Sequence, residues 1–281
     1  MSSQNGYNTL AQNGYAPNDV DAEGAALLRK PSDRNGGETS LTTRLTTHFT
    51  NNVSKSWADI ALLGCYIITG LLDSSSVFIW GSFVSMQTGN TVYLGLGIVA
   101  PHDNDRWIRS GISIAFFCLG SLFFSFYHRA LSPRKRWVLV SSHLIQLALV
   151  IAAALMVTFG PHTSKETPFN IFIGAPIALI AFQAAGQAVT SRVLQFNGLT
   201  SVVLTSIYCD LFSDPGLVAG FQANPERNRR AAAPVLLLLG AVLGGLWAHS
   251  SVGLAGALWT AVVLKAGVVG AWVLWAAEEK S

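Results

Sequence analysis

From residue 57 to residue 277 the chain is a succession of apolar runs parted by short polar stretches, and run length sets the class of protein. A helix rises about 1.5 Å per residue, so about 20 apolar residues cross the hydrocarbon of a bilayer. Measured against that length, the runs are Trp57–Leu72, Val77–Ala100, Trp107–Tyr127, Trp137–Gly160, Phe169–Val189, Leu199–Phe212, Ala231–His249 and Val252–Ala277. The first is short and ends on Asp73. The second is interrupted by Gln87-Thr88-Gly89-Asn90-Thr91, and the sixth is short and flecked with polar residues. The pattern predicts an all-α polytopic integral membrane bundle of six to eight transmembrane segments. The number depends on whether the short runs cross or fold back. Residues 1–55 are rich in Asn, Ser, Thr, Gly and Asp and have almost no apolar period. Too little surface can be buried there to offset ordering entropy, so a disordered polar tail is expected. The transmembrane domain then covers residues 56–281.

An internal echo points to two halves. Met86-Gln87-Thr88-Gly89 matches Val203-Leu204-Thr205-Ser206, and Cys118-Leu119-Gly120-Ser121 matches Leu238-Leu239-Gly240-Ala241, at a spacing of about 117 to 120 residues. Four segments repeated twice predict parallel halves, related by an axis along the membrane normal. With eight crossings, Lys55, Arg106, Arg109, Lys165, Arg227, Arg229, Arg230 and Lys280 fall on the amino-terminal side, against Arg129, Arg134, Lys135, Arg136 and Arg192 opposite. Positive charge favours the cytosol, so both termini are expected inside.

Composition agrees with a membrane class: 51% of residues are hydrophobic and 12% charged, where soluble domains carry about 25% charged residues. The net charge of +3 is spread over short loops, so no nucleic-acid partner is expected. Cys65, Cys118 and Cys209 sit in apolar runs with no C-x-x-C and no nearby histidine, which predicts buried thiols rather than a metal or redox site. No Walker loop, H-E-x-x-H, G-x-S-x-G or dinucleotide fingerprint occurs, so neither an enzyme nor a cofactor is expected. The expected partners are the lipid bilayer and a small-molecule solute.

Candidate chemistry lies where polarity interrupts the apolar runs, since such groups persist in hydrocarbon only if protein or a wet cavity satisfies them. Gln87, Thr88, Gly89, Asn90 and Thr91 admit two readings: a broken helix exposing a substrate site, or an ordinary helix whose polar side chains hold a neighbour. Asp73 is either a titrating group or a helix cap ahead of Ser74, Ser75 and Ser76. Lys265, near the middle of the last run, must snorkel or pair, and Asp73 is the conspicuous opposite charge. Thr205 is the echo of the first cluster. Gln183, Gln187, Gln195 and Asn197 surround the fifth and sixth runs, while His143 and Gln146 form a one-turn pair read as packing. Gly240-x-x-x-Gly244 matches the close-packing pattern of membrane helices.

Gly70-Leu71-Leu72-Asp73 followed by Thr88-Gly89-Asn90-Thr91-Val92-Tyr93-Leu94-Gly95 resembles the YoaK-type family of polytopic membrane proteins of unknown function, found in bacteria and fungi. The resemblance covers residues 57–277. It departs at Thr205-Ser206, where a Thr-Gly pair is more usual. It implies an integral membrane protein, for which transport is the common guess. The expectation is therefore a secondary transporter or permease for a small solute, proton-coupled through Asp73, with alternating access by rocking of the halves. A non-transporting scaffold or sensor is the alternative. A multi-pass location is expected, with the plasma membrane favoured.

Overall fold

The computed structural model describes residues 41–55 and 58–278, and its helices are α1 (Leu41–Thr50), α2 (Ala58–Trp80), α3 (Gln87–Val99), α4 (Arg106–Leu131), α5 (Arg136–Phe159), α6 (Ile171–Val193), α7 (Thr205–Phe212), α8 (Pro225–Ala248) and α9 (Leu254–Leu274). Among the described residues, six helices of 21 to 26 residues are long and apolar enough to span: α2, α4, α5, α6, α8 and α9. At about 1.5 Å per residue, α3 and α7 reach only about 20 and 12 Å, too little to cross. Most of the expected disordered tail lies outside the described residues. Residues 41–50 of it form a helix, and the strand-like stretch after it is pinned where Val53 N donates to Arg134 O and Ser54 N to Ala276 O.

The first span is not short. α2 runs through Asp73 and the three serines to Trp80, because each hydroxyl finds a carbonyl: Ser75 Oγ donates to Leu71 O at 2.8 Å and to Gly244 O at 3.1 Å, and Ser76 Oγ to Ser82 O at 2.8 Å in the loop beyond. It stops at Gly81, whose left-handed φ of +75° suits a residue without Cβ. Residues 82–86 then turn back alongside α2, and α3 runs antiparallel to α4, with Gly97 against Trp107 and Gln87 against Ser113. The start of α4 lies at the exit of α2, where Arg109 Nη1 donates to Trp80 O at 2.9 Å. The second apolar run is thus a re-entrant loop, which enters and leaves the membrane on one face.

Two sets of contacts fix which ends share a face. At the upper face, Arg109 also reaches Thr167 O, Trp80 Nε1 donates to Thr163 Oγ1, and Trp259 of α9 donates to Thr158 of α5. At the lower face, Arg136 reaches Trp275 O, Lys55 reaches Gln195, and Arg229 meets Asp59 at 2.6 Å. Hence α2, α5 and α8 run upward and α4, α6 and α9 downward. The loop of residues 194–204 with α7 re-enters from below.

Each half is a span, a re-entrant half-helix and two spans: α2–α5, then α6–α9. α7 begins 118 residues after α3, α8 119 after α4 and α9 118 after α5. The repeat is therefore present, but the halves are inverted, not parallel. With three crossings per half, an odd number, the second half must start on the opposite face. The packing obeys the same symmetry, α2 lying on α8 and α6 on α4. Glycines allow both approaches: a Cβ at Gly240 would overlap the Ile67 carbonyl, and one at Gly120 the Phe182 carbonyl. The Gly240–Gly244 pattern has the close-packing role read for it. Cys65 is buried, whereas Cys118 and Cys209 are exposed on outward helix faces, contrary to the expectation that all three are buried.

Candidate functional site

Two polar centres lie within the apolar bundle. The first closes the upper re-entrant loop. Asp73 projects from α2 two turns before its end and accepts Val84 N at 2.8 Å and Ser85 N at 2.9 Å on Oδ1, and the Ser85 hydroxyl on Oδ2. It is a cap, although not of the serine-rich helix it was expected to begin; it caps the chain leading into α3, eleven and twelve residues on. Asn90, fully buried, accepts Phe83 N at 3.0 Å and Ser82 Oγ at 3.1 Å and donates to Phe83 O, Gln87 Oε1 and Ser113 Oγ. Gln87 adds a 3.1 Å bond to Ser113. Every polar atom of the Asp73 and Asn90 side chains is engaged, so this centre locks a loop that the membrane would otherwise leave unsatisfied. A Cβ at Gly89 would overlap the Phe83 ring, which explains glycine there.

Thr88 and Thr91 point away from this knot on the exposed side of α3, Thr91 donating to its own helix at Gln87 O. Thr205 is likewise exposed, at the start of α7. The five-residue cluster thus divides: Gln87 and Asn90 face inward, and the threonines do not.

The second centre is formed by Lys265. It sits mid-way along the 21-residue α9, is fully buried, and donates to Gln183 Oε1 at 2.9 Å and Gln187 Oε1 at 2.6 Å. The expected pairing with Asp73 does not occur, since the carboxylate is spent on α3 and no ion pair among the described residues includes Lys265. Lys265 neither snorkels nor pairs with a charge; it is held by two amide oxygens one helical turn apart on α6. Gln187 Nε2 faces Thr69 Oγ1 at 3.4 Å on α2 and Ser201 Oγ at 3.3 Å at the deep end of the lower re-entrant loop. Ser201 is buried with φ +61°, a left-handed conformation that costs a non-glycine residue about 1–2 kcal/mol. Both halves of the repeat therefore meet at Lys265.

Among the described residues, two buried polar atoms beside this centre have no partner, Gln183 Nε2 and Gln146 Oε1, and Nε1 of Trp272, two turns further down α9, has none either. His143, whose ring lies 5.9 Å from that of Trp272, bonds only inside its helix, to Leu139 O. Leaving such an atom unsatisfied costs about 1–3 kcal/mol in a protein interior, so the Gln183 and Gln146 atoms, both on the middle of their helices, mark a polar place that the packing does not fully satisfy. Sequence reasoning grouped Gln183 and Gln187 but did not join them to Lys265, and it missed Thr69, Ser85, Ser113 and Ser201. Their only signal was a small hydroxyl inside an apolar run. Gln195 and Asn197 lie at the lower face, lining a recess of about 170 Å³ with Arg229 and Arg230.

Fold and centres together define a polytopic helical membrane protein built from inverted halves with a polar core. A family model described as "Protein of unknown function (DUF1275)" matches residues 61–271, and the chain belongs to that family. No curated protein and no solved structure matches it.

Proposed function

We propose that the protein is a secondary transporter or permease for a small solute, with the solute bound at the Lys265 centre. The observation that carries this reading is a buried lysine at the middle of its span, held where the two inverted halves meet and beside the unpartnered Gln183 Nε2. Ionisable residues are expensive in hydrocarbon and mark solute and ion paths, and inverted repeats with discontinuous helices are a common build of secondary transporters. Access alternates by rocking of α2–α5 against α6–α9. The substrate contacts move from the Thr88–Thr91 stretch to Lys265, Gln183, Gln187, Thr69 and Ser201. Asp73, Gln87, Asn90 and Gly89 shape the upper loop. No enzymatic step, cofactor or metal enters this reading.

The sidedness follows from charge. With six crossings the lower face carries Arg44, Lys55, Arg129, Arg134, Lys135, Arg136, Arg192, Arg227, Arg229 and Arg230, and the upper face Arg106, Arg109 and Lys165. Ten against three supports a cytosolic lower face more strongly than the eight against five counted over eight crossings. The plasma membrane is the favoured location.

The saturated Asp73–Asn90 knot supports the second reading, a scaffold or sensor whose polar residues only hold helices together. An untargeted comparison of metabolites inside and outside cells lacking the protein separates the two. Complementation uses wild type, Lys265→Met and Asp73→Asn at equal membrane levels. Transport requires that a solute redistributes in the deletion, that wild type restores it and that Lys265→Met does not. Absence of any redistribution, or full rescue by Lys265→Met, sinks the reading.

A further inference from the structure

If the Lys265 centre is a transport site, its chemistry also specifies the charge of what it carries. An ammonium group has three N–H donors, of which Lys265 gives two to the oxygens of Gln183 and Gln187. Those carboxamides orient around the cation but do not neutralise it. The Gln183 Nε2 donor, on a side chain 1% exposed, has no acceptor. Gln187 Nε2 makes only long bonds, to Ser201 Oγ at 3.3 Å, Thr69 Oγ1 at 3.4 Å and Cys65 O at 3.5 Å. The centre is rich in donors and carries a positive charge without a carboxylate.

The upper half shows how this fold satisfies buried donors with an acid. There a carboxylate, Asp73, accepts two amides and a hydroxyl at the deep end of the re-entrant loop. In the lower half neither α6 nor residues 194–204 contain an Asp or Glu, and the position 118 residues after Asp73 is Ser191. The Lys265 centre therefore has an ammonium group and an unpartnered carboxamide donor, and neither α6 nor the lower loop brings an acid to it. We propose that the solute is a small monocarboxylate, whose oxygens supply at the Lys265 centre the negative charge that no side chain there supplies. Lys265 Nζ supplies the counter-charge, and Gln183 Nε2 and Ser201 Oγ supply hydrogen bonds. A cation is repelled there, and a neutral solute leaves the lysine uncompensated. The recess lined by Gln195, Asn197, Arg229 and Arg230 opens beside the same loop at the basic lower face.

The test uses the full chain, purified and reconstituted into liposomes at pH 7.5, with osmotic reswelling read by light scattering. Vesicles are challenged with the potassium salts of formate, lactate or pyruvate in the presence of valinomycin. Potassium chloride, urea, glycerol, and methylammonium sulfate with a protonophore form the other arms. Wild type is expected to reswell in at least one carboxylate salt tenfold faster than protein-free vesicles, and at the protein-free rate in urea, glycerol and methylammonium. Lys265→Gln is expected to abolish the increment. Gln183→Glu brings its own counter-charge to Lys265; it should fold with wild-type or higher thermal stability and lose carboxylate flux. Passage of urea, glycerol, methylammonium or chloride alone overturns the carboxylate inference while transport stands. Passage of none of the solutes overturns both. Carboxylate flux at the wild-type rate through a folded Gln183→Glu overturns the assignment of the solute to Lys265.

Discussion

Replacing Asp73 separates its capping role from the proton-carrying role that its place in an apolar run first suggests. The carboxylate accepts the Val84 and Ser85 amides and the Ser85 hydroxyl, all buried. Asp73→Ala removes both acceptor oxygens and all three hydrogen bonds. The hydroxyl can rotate to a nearby carbonyl, but the two amides cannot, and each buried donor left unmade costs about 1–3 kcal/mol. The expected destabilisation is about 2–6 kcal/mol, felt first in residues 82–90. Asp73→Asn keeps an oxygen for both amides and turns its NH₂ toward Ser85 Oγ, which can accept. The loss is then the difference between a charged and a neutral acceptor, about 1 kcal/mol. Unfolding in mixed detergent micelles measures the totals, and hydrogen exchange at Val84 and Ser85 locates them. Exchange there should accelerate strongly in Asp73→Ala and little in Asp73→Asn, which should also keep solute flux. Asn and Ala variants equally unstable, or a well-folded Asp73→Asn without flux, would refute the capping account.

Three further outcomes are expected. A leucine at Gly70, which faces the Leu237 carbonyl, or at Gly240, which faces that of Ile67, forces α2 from α8; over-packing costs at least about 1–3 kcal/mol, read as lost thermal stability in detergent. Gly64→Ala, with nothing within 4 Å of its added Cβ, should leave stability unchanged, and a large loss there would upset the packing account. Ser201→Gly relieves about 1–2 kcal/mol of left-handed strain and gives up a hydrogen bond of about 0.5–1.5 kcal/mol, so stability should hardly change while flux falls. At the lower face the Gly216 amide, then the Asn224 side chain and Arg230, hold the Asp214 carboxyl below the usual carboxylate range. A depressed folded value stabilises the 213–224 loop above the unfolded carboxylate pKa, and that support is lost as pH falls through the folded value. Proteolytic protection of the loop should hold from pH 7 to about pH 4 and decline below it, whereas Asp214→Asn should be equally sensitive throughout that range.

Part of this was legible in single residues. Run length and low charge already make the chain a polytopic helical membrane protein, because transfer of about 20 apolar residues into hydrocarbon depends on composition and not on partners. The interruption at Gln87–Thr91 was legible for the same reason, as was the importance of Asp73 and Lys265, since buried polarity is costly wherever it occurs. The internal echo at Gly120 and Gly240 announced two halves.

What Asp73 and Lys265 hold was not legible, because both partners come from remote segments: α3 turns back on α2, and α6 packs near α9. The two charges stand out as a pair only while distances are unknown. The end of the first span was also misplaced, since Asp73 and three serines look like a helix boundary until Leu71, Gly244 and the Ser85 amide are seen to satisfy them. From that one boundary followed the eight crossings and the parallel repeat. By itself the sequence determined solvent, helix content and duplication, properties that local composition controls. Only the tertiary structure decided that two short segments re-enter, that the halves are inverted, and that Lys265 rather than Thr88 lies at the centre. Those depend on which distant groups satisfy one another in a medium that offers no water.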